Sequence, residues 1–131
     1  MSEVRVLMAV SAGGAVGAAA RWAVGHTWPV HPGVWPWSTL AVNVAGCFAI
    51  GVLMVFVARR AGHLPYLRLF LGVGVLGGFT TFSTFALETV QLAHGHLVIA
   101  VAYLLITPVL AVVAAMAGTR LTSAALSGGA A

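Results

Sequence analysis

GVGVLGGFTTFSTFALE, which runs from Gly72 to Glu88, holds the clearest architectural signal in this chain. It begins as an apolar run, and the adjacent pair Gly77-Gly78 interrupts it before a series of hydroxyl and phenyl side chains. Adjacent glycines followed by hydroxyl residues weaken a helix, because glycine is conformationally free and hydroxyls compete for backbone hydrogen bonds. Lipid tolerates such a break only where protein or a water-filled cavity surrounds it. The stretch therefore predicts a membrane helix broken at a depth where exposed carbonyls and helix ends can form ion sites.

The composition places the whole chain in a membrane. Of its 131 residues, 61% are hydrophobic and only 6% are charged, whereas soluble proteins average about 25% charged residues. The basic residues do not cluster with aromatic residues, which argues against nucleic acid as a partner. The sequence contains no nucleotide-binding loop, nucleophile triad or metal-ligand pattern. We therefore expect a protein that is not an enzyme.

Four apolar stretches of about 20 or more residues are long enough to cross the hydrocarbon layer. They cover residues 4–25, 38–58, 66–92 and 97–118. The pattern predicts an all-α membrane protein with a single four-helix domain over residues 1–131. Gly13 and Gly17 form a GxxxG pattern in the first span, which predicts close approach of another helix. Residues 119–131 are small and polar, and we expect them to form a disordered tail.

The arginines predict an orientation. Four spans place the N-terminus, the second connection and the C-terminus on one side, and this side carries Arg5, Arg59, Arg60, Arg68 and Arg120. The opposite connections contain no Arg or Lys, so the positive-inside rule places both termini in the cytoplasm. Arg21 lies towards the opposite side. It is either an interfacial residue or a fixed charge at the mouth of an anion path.

Polar and aromatic side chains share helical faces in the last three spans, and we define them as the polar-aromatic track: Thr39, Asn43, Phe79 to Phe85, Tyr103 and Thr107. The track offers N–H and O–H donors and the positive edges of phenyl rings. A cation path would carry carboxylates, and a proton-coupled pump would need a titratable group at this depth. The track therefore favours a small, strongly hydrated anion. The alternative interpretations are an interhelical hydrogen bond for Asn43 and ordinary packing for the phenylalanines.

Three stretches together resemble a known family. GGAVGAAARW (residues 13–22), TLAVNVAGCFAIG (39–51) and GGFTTFSTFALE (77–88) are similar to the signature stretches of the Fluc family of fluoride channels, also called CrcB. The resemblance implies a homodimer of two four-helix subunits inserted antiparallel, with dual topology and two fluoride pores. It also implies passive export of fluoride from the cytoplasm through the inner (plasma) membrane.

The same resemblance assigns residues to three places. The fluoride-pore residues would be Asn43, Phe82, Phe85, Thr39, Tyr103 and Thr107. Arg21 would line a vestibule. Independently of the resemblance, Glu88 is the only acid inside any span, so we expect it to have a neutralising partner or to line the water-filled vestibule. Backbone carbonyls of Gly77 and Thr80 would hold a structural sodium ion at the dimer centre.

Alternatives from other classes stay open. A small multidrug exporter also has four helices, but it needs an acid in the middle of its first span, and this chain has none there. A non-conducting assembly subunit would use its small-residue faces only for packing. The arginine bias also leaves a heterodimer possible, because a chain that inserts both ways usually lacks such a bias.

Overall fold

A computed structural model describes residues 3–59 and 65–128 of the chain. Every regular element in these ranges is helical. In chain order the elements are α1 (Glu3–Thr27), α2 (Trp37–Arg59), α3 (Pro65–Arg68), a π-helical segment (Leu69–Leu76), α4 (Gly77–Phe79), α5 (Phe82–Ala93) and α6 (Leu97–Gly128). Arg60, which contributes to the predicted orientation, lies outside the described residues.

Four segments are long and apolar enough to cross a membrane: Glu3–Thr27, Trp37–Arg59, Pro65–Ala93 and Leu97–Gly128. The prediction of an all-α chain with four spans is confirmed. The predicted bounds agree with these segments to within a few residues, except at the C-terminus. The span near the C-terminus is about ten residues longer than its hydropathy indicated.

The prediction of a disordered tail is wrong for residues 119–128, because α6 continues to Gly128; residues 129–131 lie outside the described part. Arg59, at the end of α2, donates hydrogen bonds to the carbonyl oxygens of Leu126 (3.2 Å) and Ser123 (3.3 Å) and to the hydroxyl of Ser127 (3.1 Å). A cation at the carbonyl end of a helix stabilises its last turn. The composition of the tail alone does not reveal this partner.

The third span combines several backbone conformations. After α3, the π-helical segment has a wider turn, and the Gly77 N–H bonds to the carbonyl of Gly72, five residues earlier. Thr80 (φ −72°, ψ 155°) and Thr81 (φ −146°, ψ 121°) are extended, and α5 begins at Phe82. The span therefore has a first part, Pro65–Phe79, and a second part, Phe82–Ala93. The sequence pattern did not predict the π-helical segment.

Glycines bring α1 against the first part of the third span. Gly13 and Gly17 are buried, and a β-carbon at either position would collide with backbone atoms of the π-helical segment, including Gly74 and Val75. The predicted role of the GxxxG pattern is confirmed, because the two backbones touch where side chains are absent. Elsewhere α6 packs against both α2 and α5.

One cluster of buried apolar side chains lies between α5 and α6. It consists of Phe85, Leu92, Ala100 and Tyr103, with Trp35 and Ile99 packed against it. Most other large apolar side chains, such as Val98 and Val109, point outwards. An apolar exterior of this extent is stable when lipid or another protein surface covers it.

Candidate functional site

Asn43 holds the extended backbone between the two parts of the third span. Its Oδ1 accepts a hydrogen bond from the Thr81 N–H (2.7 Å), and its Nδ2 donates to the Thr81 carbonyl (2.9 Å). The geometry thus contains the interhelical hydrogen bond that was one of the two interpretations of this residue. An amide nitrogen carries two hydrogens, and this contact uses one of them.

Because Thr80 and Thr81 are extended, carbonyl groups just before them lose their usual helical hydrogen-bond donors. In a continuous helix the Thr81 N–H would donate to the carbonyl of Gly77, but here it donates to Asn43. The carbonyl of Gly78 accepts a hydrogen bond from Arg21 Nε (3.2 Å). The Thr80 hydroxyl donates to the carbonyl of Leu76 (3.0 Å). Carbonyl groups near Gly77 therefore bond to side chains or lack their usual helical partner.

Hydroxyl groups start α5. Thr81 is its N-cap, and its Oγ1 accepts a hydrogen bond from the Thr84 N–H (3.1 Å) and donates to Thr84 Oγ1 (2.9 Å). The Ser83 hydroxyl lies 3.4 Å from Thr81 Oγ1. An N-cap hydroxyl satisfies a backbone N–H that the first helical turn leaves free. The FTTFST sequence thus both begins the helix and concentrates hydroxyl groups beside the break.

Glu88 lies in a buried network of hydroxyl groups. Its side chain is 8% exposed. Oε1 accepts a hydrogen bond from Thr39 Oγ1 (2.7 Å), and Oε2 accepts one from the Tyr103 hydroxyl (2.8 Å). Two neutral donors therefore satisfy the carboxyl group. The network joins α2, α5 and α6 at one point.

Four aromatic rings form a continuous row, which we call the ring row: Phe82, Phe85, Tyr103 and Trp35. Successive ring centroids lie 5.8, 5.1 and 5.5 Å apart. Phe82 is 79% exposed, whereas Phe85 is 4% and Tyr103 0% exposed. The row therefore begins at the exposed Phe82, passes through the buried Phe85 and Tyr103, and ends at the half-buried Trp35 in the first connection. The predicted common face of Phe82 and Phe85 is confirmed by their ring contact.

A cleft of about 570 Å³ opens beside this network. Its lining includes Arg21 from α1, Thr39 from α2, and Thr84 and Glu88 from α5. Arg21 is half-buried, with its guanidinium held on the carbonyl of Gly78. The structure therefore places the two predicted vestibule residues in the same cleft.

The predicted site residues fall into three neighbouring groups. Arg21, Thr39 and Glu88 line the cleft; Phe82, Phe85 and Tyr103 form most of the ring row; Asn43, Gly77 and Thr80 surround the break. Glu88 connects the first two groups, because it bonds to both Thr39 and Tyr103. Thr107, one turn beyond Tyr103, is 3% exposed, and within the described residues its Oγ1 has no hydrogen-bond partner.

The sequence did not single out Trp35. Its indole packs edge-on against Tyr103 at 82° between ring planes. The first connection contains three tryptophans and three prolines, which is typical of a loop at the headgroup level. No sequence signal distinguishes the tryptophan that turns inward from its neighbours.

Comparison with known proteins identifies the family. The model of the family described as CrcB-like protein, Camphor Resistance (CrcB), matches residues 8–119. The chain belongs to this family. This CrcB-like chain is 49% identical over 121 residues to fluoride-specific ion channel FluC 2 of Nocardia farcinica, covering 92% of the chain and 84% of that relative. It is 50% identical over 118 residues to fluoride-specific ion channel FluC 2 of Thermobifida fusca, covering 87% of each.

A third relative of the CrcB-like chain is fluoride-specific ion channel FluC 1 of Streptomyces coelicolor. The two are 45% identical over 114 residues, which cover 86% of the chain and 74% of the relative. The resemblance that the sequence motifs indicated is confirmed. The family consists of ion channels, so the prediction that this chain is not an enzyme is also confirmed. The four apolar helices and the family together establish a multi-pass membrane protein.

Proposed function

We propose that this chain is the subunit of a fluoride-selective channel that exports fluoride passively from the cytoplasm through the inner (plasma) membrane. The relatives' names supply the ion. The observation that carries the proposal is the ring row, which meets the Thr39–Glu88–Tyr103 network at Tyr103. Together they bring aromatic rings and hydrogen-bonded hydroxyl groups next to one another, from the exposed Phe82 to the buried Tyr103.

Fluoride is small and strongly hydrated, so a channel must replace its water shell with other donors. The free hydrogen of the Asn43 amide and the hydroxyl of Thr107 are donors of this kind, whereas the Thr39 hydroxyl already donates to Glu88. The edges of Phe82 and Phe85 carry positive charge density and can face an anion. Arg21, beside the cleft, would attract an anion to its mouth. The amide, hydroxyl and ring-edge donors bind without adding a net positive charge in the pore, which would hold the ion too tightly for conduction.

A second subunit completes the proposed channel. Phe82 and Gly77 are both exposed on a single chain, although both belong to the apolar third span. An antiparallel copy would cover this surface, and the two equivalent ring rows would give two pores. We propose a homodimer with dual topology, and a heterodimer with a related chain is the alternative that the arginine bias favours.

The dimer proposal is tested by single cysteines placed in the first and third connections of a variant in which Cys47 is replaced by Ser. Membrane-impermeant reagents are applied to whole cells and to inverted vesicles. A homodimer with dual topology predicts labelling of the same position from both faces. Labelling from one face only would contradict the homodimer and favour a partner chain of opposite orientation.

We propose that carbonyl groups beside the break hold a structural sodium ion shared by the two subunits. The residues fit this role, because the carbonyl of Gly77 is released from its helical partner and neutral backbone oxygens suit a monovalent cation. Within the described residues no cluster of three His, Cys, Asp or Glu side chains competes as a metal site. Gly77 and Thr80 would supply the oxygens, and the ion would add positive charge that holds the two break regions together.

The function is tested with purified protein in liposomes loaded with potassium fluoride, without a proton gradient. A fluoride electrode should record rapid release after valinomycin is added, because a channel needs only a path for the compensating potassium. Release that requires a proton gradient would instead favour an exporter. Vesicles that retain fluoride under both conditions would favour a non-conducting assembly subunit.

A further inference from the structure

Trp35 lies at the opposite end of the ring row from Phe82, where it contacts Tyr103. We propose that its indole N–H is a further fluoride-binding donor, beyond the pore residues that the family resemblance implies. The inference rests on the proposed function and adds one named residue to it. Phe82, Phe85 and Tyr103, which we propose as pore residues, are consecutive members of the row. Trp35 is the next ring in this row.

The first argument is the state of the indole nitrogen. Trp35 Nε1 is buried, and within the described residues it has no hydrogen-bond partner. A buried N–H without a partner is unfavourable, and native structures rarely contain one unless water or an ion completes it. An indole nitrogen is a donor only, so the missing partner must be an acceptor.

The second argument is the position of the other unpartnered group. Across residues 3–59 and 65–128, Trp35 Nε1 and Thr107 Oγ1 are the buried side-chain polar atoms that lack a partner. Both belong to residues adjoining Tyr103: Trp35 through its ring, and Thr107 one helical turn further along α6. The Tyr103 hydroxyl is already committed to Glu88. The two unpartnered donors therefore both belong to residues next to Tyr103, and a small acceptor would satisfy each of them.

The partner is a small anion, and fluoride is the one that the proposed function supplies. Water is the other acceptor small enough for such a place. Fluoride differs from water because its charge strengthens the bond to the N–H. An experiment that varies the anion at constant ionic strength separates the two.

The first test replaces Trp35 by Phe, which keeps an aromatic ring against Tyr103 and removes the N–H. Trp37 provides a matched control, because it packs beside Trp35 at 5.9 Å but is exposed to its surroundings. In planar bilayers, Trp35→Phe should lower the fluoride conductance by roughly five- to tenfold, as expected for one lost hydrogen bond to an anion. Trp37→Phe should stay within about twofold of the wild type. Equal conductance in the two variants would overturn the proposal.

The second test uses the wild-type protein, and variants serve only to assign the tryptophan resonances. Protein labelled with ¹⁵N-tryptophan is titrated with sodium fluoride and, separately, with sodium chloride at the same ionic strength. The Trp35 indole resonance should move with fluoride and not with chloride, while the Trp37 resonance should respond to neither. A Trp35 resonance that stays fixed, or that moves equally with both salts, would identify water or packing as the explanation.

The two proposals fail differently. Wild-type vesicles that retain fluoride would overturn the channel function and this inference together. Wild-type vesicles that release fluoride, combined with an indole resonance that ignores it, would overturn only the role of Trp35.

Discussion

The two parts of the third span belong to one apolar segment but make different kinds of contact. The first part, Pro65–Phe79, lies against α1 through glycines, and its contacts are mostly between backbones. The second part, Phe82–Ala93, presents Phe82, Phe85 and Glu88 and packs against α6. Thr80 and Thr81 separate them.

The difference teaches how a very small chain can hold a polar site in lipid. Backbone contact between α1 and the first part positions the extended residues, together with the bonds from Arg21 to the Gly78 carbonyl and between Asn43 and Thr81. The second part is then free to use its side chains for hydrogen bonds and ring contacts. The comparison predicts that substitutions in the first part affect folding, whereas substitutions in the second part affect ion flux.

The largest effect is expected for Gly17→Ala. A β-carbon there would collide with the backbone of Val75, so the helices would have to separate, at a cost of about 2 kcal/mol or more. We expect a lower midpoint of thermal unfolding in detergent and little assembled protein. Gly14→Ala is the matched control, because a β-carbon at Gly14 meets nothing within 4 Å. Equal midpoints for the two variants would mean that the glycine contact does not hold the helices together.

The next largest effect is expected for Phe82→Ala, which should lower fluoride efflux by about tenfold because one edge-presenting ring is lost. Phe82 is largely exposed on the single chain, so its truncation should leave the subunit fold intact. Leu87→Ala, which removes another exposed apolar side chain of α5, should change efflux much less. Efflux and the elution volume of the assembled protein are measured together. A tenfold loss of efflux in both variants would show that the phenyl ring of Phe82 has no special role.

Asn43→Ala should have an intermediate effect on efflux, a loss of about fivefold, because one anion donor disappears. The same change leaves the Thr81 N–H and carbonyl without their partner, which costs about 1–3 kcal/mol of stability. We still expect the dimer to form.

Asn43→Asp sharpens this test. It keeps the acceptor for the Thr81 N–H but, when ionised, places a negative charge beside the break. If Asn43 only holds the backbone, Asp should conduct better than Ala. If it also faces the anion, Asp should conduct less than Ala.

The smallest effect is expected for Tyr103→Phe. The ring remains in the row, and only the hydrogen bond to Glu88 Oε2 is lost. The Thr39 bond to Oε1 still holds the carboxyl group, so we expect efflux to fall by about threefold or less. A loss as large as that of Phe82→Ala would show that the Glu88 network, not the ring row, limits conduction.

The sequence predicted the parts of the molecule that depend on local pattern. Four apolar runs gave the four spans, and the spacing of Gly13 and Gly17 indicated the face that α1 uses. It did not predict the π-helical segment or the ordered end of α6. Both depend on tertiary contacts: the backbone packing against α1 and the bonds from Arg59.

Candidate site residues could be named, but their partners could not. The helical spacing of Phe82 and Phe85 indicated their ring contact, because both lie on one turn. The bonds from Asn43 to Thr81 and from Thr39 to Glu88 join residues far apart in the chain, which periodicity cannot pair. The contact between Trp35 and Tyr103 could not be predicted for a similar reason, because it depends on the path of the first connection.

The most direct test of the central claim is the reversal potential of the wild-type channel in a planar bilayer, with fluoride as the anion on one side and, on the other, chloride with a low, known concentration of fluoride. Hydroxyl, amide and ring-edge donors that replace the water shell of a small ion predict a potential close to the fluoride equilibrium value. A potential near zero, with fluoride and chloride passing equally, would contradict the account.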